Sequence, residues 1–442
     1  MNVSQRYQIK GDGASAIAAS VERAIMRGEL VAGARLPSVR ELAMKLRVST
    51  VTVANAYNRL KLRGLVTADG RRGTVVSHGI TVVTRAHVPI PSGVRNLADG
   101  GPDPALVPDW RVVLARLRYQ PRTYGEPYNR PELLEMAARM FHDDGIGRGP
   151  VAIVSGAMDG LERALQAALR SGDRVALEDP AYHAALDLVR SLGLTPVAVA
   201  MDDCGMRPEA LARALERGVN AVVVTPRAQN PTGAALDHPR AKELHRILRA
   251  HPDVILMEDD HAGPIAGTPA LTLAEPGRER WAIIRSVSKW LGPDFRLAFM
   301  TGDEFTIGRV ESRQHLGTGW VSHLLQQAVV EILRDKALET TISTAARIYE
   351  TRRRALVDAL HTQGIDARGR SGLNVWVPVT EEGTAIRSLL AAGWAVSAGE
   401  RFRINTPPAI RVSVATLKPE EAKRLAADLA HAFAPSRLIG SA

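Results

Sequence analysis

The sequence has a single cysteine, Cys204, among its 442 residues. One cysteine excludes an internal disulfide framework and is typical of a protein kept in a reducing cytoplasm. Cys204 has no cysteine or histidine partner at the spacing of metal ligands, so we expect no metal site. The sequence also lacks a run of 18 apolar residues, and its first 13 residues lack the apolar core of a secretory signal. We therefore expect a cytoplasmic protein without a membrane partner.

Acidic residues are scarce at the start of the chain. Residues 1–79 contain 13 lysines and arginines but only 5 acidic residues, a net charge of +8. The remaining 363 residues carry 44 basic and 42 acidic side chains, a net charge of +2. Positive charge concentrated in the first fifth of the chain indicates a polyanionic partner. The competing interpretation is a solvated charged surface without a ligand.

The same segment has the pattern of three helices followed by a hairpin. Apolar residues recur at helical spacing over 14–26, 38–46 and 49–63, and residues 65–77 have the pattern of a hairpin. Tyr57 and Leu60 repeat on the apolar face of the third helix, so we expect them in the core. This order predicts a winged helix-turn-helix. Such a domain places its third helix in the major groove of DNA and its wing on phosphates or in the minor groove.

The segment 28–43, continued by 51–57 and by Gly73-Thr74, resembles the N-terminal domain of GntR-type bacterial regulators. The resemblance implies binding to double-stranded promoter DNA, with Arg40 on the backbone or on a base. Further contacts would come from the groove face of the third helix and from the wing tip, namely from Ser49, Thr50, Thr52, Gly70 and Arg71. Without DNA, Arg40 would form only a surface salt bridge and the threonines would only cap a helix.

A linker separates this head, residues 1–78, from a second unit, residues 97–442. Residues 79–96 contain Pro89 and Pro91 and show no helical period, which predicts a semi-rigid connection. In the second unit, short apolar runs alternate with helical stretches, the pattern of a doubly wound α/β sheet. From about residue 340 the pattern changes to that of a smaller subdomain. The predicted strands are 151–155, 174–178, 195–199, 221–225, 254–257 and 282–286.

Lys289 follows the last of these strands and has the neighbours of a phosphate site. A lysine forms a Schiff base with an aldehyde, while Ser286, Ser288 and Arg296 can hold a phosphate. Ligand sites in open α/β sheets lie at such strand ends. These groups are the ones needed to hold pyridoxal 5′-phosphate (PLP) by its aldehyde and by its phosphate.

Four other strand ends carry complementary groups. Asp259 can keep a pyridine nitrogen protonated, the state in which PLP works as an electron sink. Asn230 can hydrogen-bond the ring oxygen, and Tyr182 can lie over the ring. Gly156 precedes a helix, and the first backbone N–H groups of a helix form a phosphate site. Each feature alone is weak, but five of them after five strands predict a PLP site.

The second unit resembles fold-type I aminotransferases, and its fusion to a GntR-type head resembles the MocR regulators. Within that family, His261, the run 285–289 and the segment 320–326 are most similar to the PtsJ type. The resemblance implies that Lys289 bonds covalently to PLP and that the protein is a homodimer. Transcription would respond to a small effector, PLP or an amino compound joined to it, and the target genes would belong to vitamin B6 or amino-acid metabolism.

The resemblance assigns three further residues. Ala157 would join Gly156 at the phosphate, Tyr124 would reach the phosphate of the neighbouring protomer, and Arg411 would bind the α-carboxylate of an amino-acid effector. Ala157 and Met158 replace a polar pair that many relatives have, which leaves backbone donors at this position.

His261 stands where most relatives have a tyrosine whose hydroxyl contacts the ring oxygen. An imidazole is shorter and ordinarily titrates near neutrality, so the tuning of the cofactor is open at this position. The other interpretation of His261 is an ordinary histidine beside the pocket.

Two functions remain open from the sequence. The first is a PLP-binding transcriptional regulator, which the charge of the head and its wing favour. The second is an active aminotransferase with an accessory DNA-binding head, which Lys289 and Arg411 keep possible because they suffice to bind an amino acid.

Overall fold

The computed structural model describes residues 8–62, 65–69, 73–76, 90–119, 122–147 and 149–433. The chain divides into two compact units, with the main boundary between residues 89 and 90. Each unit has its own cluster of buried apolar side chains.

The head is a winged helix-turn-helix, as predicted. Its elements are α1 Ala14–Met26, α2 Val39–Leu46, α3 Thr50–Leu62, β1 Val66–Asp69 and β2 Gly73–Val76. The two strands pair antiparallel, and Ile17, Val21, Val53 and Leu60 are fully buried between the helices. Tyr57 is also buried, and its hydroxyl donates to the carbonyl of Pro37 at 2.7 Å, so both predicted core residues of α3 are confirmed.

Serines begin the second and third helices of the head. The Ser38 hydroxyl accepts from the Glu41 backbone N–H, and the Glu41 carboxylate accepts from the Ser38 N–H, which forms a capping box. Ser49 accepts from the Thr52 N–H at 3.0 Å at the start of α3. Side-chain acceptors at these positions satisfy backbone donors that have no partner within the helix. Local hydrogen bonds thereby fix the starts of α2 and α3.

An eight-stranded mixed sheet forms the centre of the second unit. Its strands are β4 Val151–Val154, β5 Arg174–Asp179, β6 Thr195–Asp202, β7 Gly205–Met206, β8 Ala221–Val224, β9 Ile255–Asp260, β10 Trp281–Ser286 and β11 Ala298–Gly302. They lie in the order β4-β11-β10-β9-β8-β5-β6-β7. Strands β10, β9, β8 and β5 are parallel, and the antiparallel β11 joins β10 to β4. The carboxyl ends of β4, β5, β8, β9 and β10 therefore lie at one edge of the sheet.

Helices cover this sheet and link its strands. They are α4 Trp110–Arg116, α5 Pro131–Asp143, α6 Ala157–Ala168, α7 His183–Ser191, α8 Pro208–Glu216, α9 His238–Arg249, α10 Glu304–Leu316 and α11 His323–Leu333. The central strands β8, β9, β10 and β11 are buried along their whole length, as expected for a sheet with both faces covered.

A smaller subdomain follows, near the predicted position. Its elements are α12 Ala337–Thr362, β12 Asn374–Pro378, α13 Glu382–Ala391, β13 Trp394–Ala395, β14 Ser397–Ala398, β15 Ala409–Ser413 and α14 Ala422–Phe433. Strands β12, β15 and β14 form an antiparallel sheet. A short strand, β3 Arg95–Asn96, pairs in parallel with β13. These two residues end the predicted linker, whose first part, 79–89, lies outside the described residues.

Several details of the sheet differ from the prediction, including the two-residue strand β7, which was not predicted. Strand β9 runs to Asp260 instead of ending at residue 257, so Asp259 lies within the strand and not in a loop after it. The antiparallel strand β11 was not predicted, because its apolar run follows a turn so closely that it reads as part of the Lys289 loop. In the described part of the chain no helix is long and apolar enough to cross a membrane, and no group of side chains could hold a metal ion.

Candidate functional site

A cavity of about 370 Å³ lies at the carboxyl ends of the parallel strands. Ten side chains singled out in the sequence line it together, from segments up to about 250 residues apart. They are Ala157, Tyr182, Asn230, Asp259, His261, Ser286, Ser288, Lys289, Arg296 and Arg411. The topology of the sheet brings them together, because each predicted strand end that carries one lies at the same edge.

One end of the cavity is built from α6 and the loop after β10. Gly156 precedes α6 with φ of 104°, and a Cβ there would lie 2.9 Å from Nη2 of Arg296. Only glycine permits this approach of the guanidinium to the start of the helix. The Ser286 hydroxyl contacts that of Ser288 at 3.1 Å and accepts from its backbone N–H. A guanidinium, two hydroxyls and a helix N-terminus thus converge, a combination of donors suited to a phosphate.

Asp259 lies in the wall of the cavity with one carboxylate oxygen, Oδ1, that is buried and has no hydrogen-bond partner among the described residues. Burial raises the pKa of Asp259 to about 7, and the charge of Asp260 adds to this, while Lys289 opposes it. An unpartnered buried carboxylate costs free energy unless a donor meets it. A group that brings a proton or an N–H to Oδ1 would satisfy this carboxylate.

The next residue, Asp260, faces a buried ion-pair network. Arg227 donates to both of its carboxylate oxygens at 2.8 Å, and Arg285 donates to Oδ2 at 2.7 Å. Arg285 also lies 2.6 Å from Asp144. The two guanidiniums hold the pKa of Asp260 far below its usual range despite burial. This network fixes the end of β9 and the carboxylate beside Asp259.

Lys289 and Arg411 both line the cavity, and both donate to one short backbone segment. The Lys289 ammonium donates to the carbonyl of Gly100, and Nη2 of Arg411 donates to the carbonyl of Ala98. Burial and the charge of Arg411 lower the pKa of Lys289 to about 8. Burial also lowers the pKa of Arg411 to about 10, and Nε of Arg411 is buried without a partner in the described residues. Two desolvated cations therefore lie in one cavity.

The Asn230 side chain is oriented by Arg411. Its carbonyl oxygen accepts from Nη1 of Arg411 at 3.1 Å and from the Asn374 amide at 3.4 Å. Because both contacts use the oxygen, the amide nitrogen of Asn230 is the group left for a ligand. Asn230 therefore offers a donor to the cavity, as a ring oxygen would require.

His261 is neutral in this environment, contrary to the expectation that it titrates near neutrality. Burial lowers its pKa to about 4, and the charge of Lys289 acts in the same direction. Nε2 of His261 lies 2.9 Å from the carbonyl oxygen of Ala228, and a carbonyl can only accept. The proton is therefore on Nε2, and Nδ1 is an acceptor.

The two tyrosines lie in different places. Tyr182 lines the cavity, and its ring contacts that of His183 edge to face. Tyr124 does not line the cavity: it is 92% exposed and packs edge to face against Trp320 with ring centroids 5.7 Å apart. A role for Tyr124 in the cavity of a neighbouring protomer stays a prediction.

Seven cavity residues were not singled out from the sequence as ligand contacts. They are Ala98, Asp99, Gly100, Met158, His183, Pro293 and Arg401. Arg401 lies in a short 3-10 turn, Glu400–Phe402, among several arginines, and nothing in its local sequence distinguishes it. His183 directly follows Tyr182, so the predicted strand-end position of Tyr182 could have indicated it.

The predicted DNA-contact residues that the structure describes lie on the surface of the head. Arg40 is exposed in the first turn of α2, Ser49 and Thr50 are exposed at the start of α3, and Thr52 is half-buried. The Ser49 and Thr52 hydroxyls lie 2.8 Å apart. Gly70 and Arg71, predicted at the wing tip, lie outside the described residues.

Two family models match the chain. "Aminotransferase class I and II" matches residues 93–429, and "Bacterial regulatory proteins, gntR family" matches residues 14–76. The vitamin B6 salvage pathway transcriptional repressor PtsJ of Salmonella typhimurium is 38% identical over 96% of this chain and 99% of its own length. The pyridoxine biosynthesis transcriptional regulator PdxR of Corynebacterium glutamicum is 25% identical over 77% of each chain.

Solved aminotransferases share the fold of the second unit. A kynurenine aminotransferase of Pyrococcus horikoshii, in complex with PMP, superposes with a TM-score of 0.71 at 24% identity, covering 77% of this chain and 91% of that chain. The α-aminoadipate aminotransferase LysN of Thermus thermophilus gives a TM-score of 0.69 at 23% identity, over 78% and 93%. The chain therefore belongs to the MocR-type regulators, in which a gntR-family winged helix-turn-helix is joined to a fold-type I aminotransferase domain.

Proposed function

We propose that the protein is a transcriptional regulator that binds promoter DNA through its head and PLP in the cavity of its second unit. Occupation of the cavity by PLP, or by PLP joined to an amino compound, changes the binding of DNA. The observation that carries the proposal is the convergence of Lys289, Asp259 and Arg296 on one cavity in a chain whose head is a winged helix-turn-helix. As a regulator of transcription it would act in the cytoplasm.

The residues of the cavity fit PLP on three separate grounds. The unpartnered Oδ1 of Asp259 needs a donor, and a protonated pyridine nitrogen is one. The close approach of Arg296 to Gly156 brings a guanidinium to the N-terminus of α6, where the two can donate to one phosphate. The free amide nitrogen of Asn230 suits the ring oxygen. We assign these three contacts, with Ser286, Ser288 and the backbone of Ala157 at the phosphate and Tyr182 over the ring.

Bound PLP supplies an aldehyde that reacts with amines and a pyridinium ring that withdraws electrons. Lys289 suits the aldehyde because its pKa of about 8 leaves a useful fraction of neutral, nucleophilic amine at neutral pH. Asp259 would hold the proton at the ring nitrogen, since the two charges stabilise each other in a buried site. Neutral His261 would present the acceptor Nδ1 to the cavity and add no charge there.

The protein would act as a homodimer that places two heads on two half-sites of an operator. Tyr124 would reach the cavity of the neighbouring protomer from the exposed position that it has in a single chain. The similarity to a repressor of vitamin B6 salvage supports target genes in vitamin B6 metabolism, with amino-acid metabolism as the broader class.

An active aminotransferase is the second candidate, and Arg411 favours it. Its guanidinium is buried in the same cavity as Lys289, and this pair can bind an amino acid by its carboxylate and its amine. Steady turnover of an amino donor with a keto acid would support this function, whereas binding of amino acids without turnover would support the regulator.

A gel shift with DNA from upstream of the protein's own coding sequence tests the regulator. We expect retardation of this DNA at nanomolar protein and a change in the apparent Kd of about fivefold or more when PLP is added. Unrelated DNA of the same length at the same salt concentration is the control for nonspecific binding. An affinity for the upstream DNA that is identical with and without PLP would contradict the proposed response.

A further inference from the structure

The outward side of α3 has no charged side chain at its centre. The opposite side of the helix packs into the head and consists of Val53, Ala56, Tyr57 and Leu60. Successive residues of a helix are rotated by about 100°, which identifies the positions that lie farthest from this buried side. They are Val51, Ala54, Asn55 and Asn58, and all four are exposed. The centre of the outward side therefore combines small apolar side chains with amides.

Val51 and Asn55 are neighbours on this side of the helix. Val51 is 67% exposed, and Asn55, four residues later, lies one turn further along the same face. A single exposed valine is common on protein surfaces and indicates nothing alone. Here it lies beside an exposed amide, in the helix that a winged helix-turn-helix places in the major groove.

The positive charge of the head lies outside this centre. Residues 1–79 carry a net charge of +8, which complements a polyanion. Arg40 belongs to α2, and Arg59 of α3 donates to the hydroxyl of Ser15 in α1. In B-DNA the phosphates border the major groove and the base edges form its floor. Cations around an uncharged centre match this arrangement.

The side chains at the centre match some base edges better than others. Adenine presents N7 as an acceptor and N6 as a donor, a pair that an asparagine amide can meet with two hydrogen bonds, and thymine presents a C5-methyl group to apolar side chains. Guanine presents two acceptors, which arginine and lysine bind best. Because Val51, Ala54, Asn55 and Asn58 include neither arginine nor lysine, the centre favours A·T base pairs.

We propose that α3 reads A·T base pairs, with Asn55 bonded to N7 and N6 of an adenine and Val51 packed on the C5-methyl group of a thymine. Thr52, which the sequence resemblance assigns to DNA, is half-buried, and its hydroxyl lies 2.8 Å from that of Ser49. Thr52 therefore supports the start of the helix. The inference rests on the proposed function, since it takes the head to bind promoter DNA, and it adds the base pairs that the head recognises.

Chemically substituted DNA tests the two contacts separately. The upstream DNA is prepared in its natural form, with uracil in place of thymine, and with 7-deazaadenine in place of adenine. The first substitution removes the C5-methyl group and the second removes the N7 acceptor, while both keep Watson–Crick pairing. Anisotropy titrations of the full-length protein, at one salt and one PLP concentration, measure the affinity. We expect the wild type to bind each substituted DNA about fivefold or more weaker than natural DNA.

Val51→Ala should bind the natural and the uracil DNA within about twofold of each other, because the shorter side chain does not reach the methyl group, and it should keep the loss caused by 7-deazaadenine. Asn55→Ala should show the reverse pattern. Val31→Ala is the matched control: Val31 is 65% exposed, but it lies between α1 and α2 and not on α3. This variant should keep both losses. Circular dichroism confirms that each variant is folded.

Equal affinity of the wild type for all three DNAs, with specific binding of the upstream DNA intact, would overturn the inference alone. So would Val51→Ala and Asn55→Ala variants that keep both losses in full, because the bases would then be read by other residues. A wild type that binds natural upstream DNA no better than unrelated DNA would overturn the proposed function, and the inference with it.

Discussion

Asp259 and Asp260 are neighbours in strand β9, yet their carboxyl groups are stabilised in opposite protonation states. Asp260 receives three hydrogen bonds from Arg227 and Arg285 and stays ionised. Asp259 faces the cavity, keeps one oxygen without a partner in the described residues, and has a pKa raised to about 7. Successive side chains of a strand point to opposite faces. The carboxylate of Asp260 therefore lies in the ion-pair network, while that of Asp259, one residue earlier, faces the cavity.

Lys289→Ala should abolish the visible absorbance that PLP gives to the protein. The substitution removes the amine that reacts with the aldehyde and leaves the phosphate contacts of Arg296, Ser286 and Ser288 in place. Absorption spectra after incubation with PLP and removal of the excess measure this, and DNA binding by the variant should remain measurable. A colourless wild type under these conditions would contradict the assignment of the cavity to PLP.

Asp259→Asn should stabilise the cofactor-free protein at alkaline pH and weaken its hold on PLP. Folding raises the pKa of Asp259 from 3.8 to about 7, so the stability linked to its proton is present at low pH and is lost as the pH rises through about 7. The variant has no proton to lose. Urea unfolding should show it to be more stable than the wild type by about 1 to 3 kcal/mol at pH 8, and by less at pH 5.

The same variant should lose PLP faster on dialysis, because an amide does not balance the charge of a protonated ring nitrogen. A variant that is less stable than the wild type at pH 8 would show that Oδ1 of Asp259 has a partner that the fold supplies.

Asp260→Ala should destabilise the second unit strongly. It leaves the buried guanidiniums of Arg227 and Arg285 without their shared carboxylate, a loss of about 3 to 5 kcal/mol for a buried pair. Asp144→Ala is the comparison: Asp144 also contacts Arg285, but its side chain is 33% exposed, so water can replace it. Urea unfolding of both variants measures the difference, and equal losses would mean that burial does not set the cost.

Arg40→Ala should weaken the binding of upstream DNA and leave PLP uptake intact. Arg40 is exposed in the first turn of α2, where a guanidinium can meet a phosphate. Loss of one phosphate contact lowers the slope of log affinity against log salt by about one. Anisotropy titrations at several salt concentrations measure this, with Arg354→Ala, an exposed arginine paired with Glu350, as the control. An unchanged salt slope would count against Arg40 as a phosphate contact.

Most of the fold could be predicted from the sequence because its signals are local. The helices of the head follow apolar spacing and serine caps, and the parallel strands are apolar runs followed by polar residues. Strand β11 was not predicted. Its partner β4 lies far from it in the sequence, and its partner β10 is joined to it by the loop that carries the ligand residues around Lys289. Pairing partners at long range leave little mark on the sequence of one strand.

Residues of the candidate site that follow a strand could be predicted individually from the sequence, and Lys289, Asn230 and Tyr182 are examples. Arg401 was missed because its place in the cavity depends on the packing of Phe402 in a separate subdomain. The neutral state of His261 was also beyond the sequence, since it arises from burial and from Lys289, which lies 28 residues away.

The carbonyls of Ala98 and Gly100 already occupy Arg411 and Lys289. A ligand that enters the cavity therefore exchanges one set of hydrogen bonds for another, and each exchange yields only about 1 kcal/mol on balance. A ligand that binds both cations displaces two carbonyls of a single three-residue stretch. Occupation of the cavity is thus linked to the hydrogen bonds that hold residues 98–100.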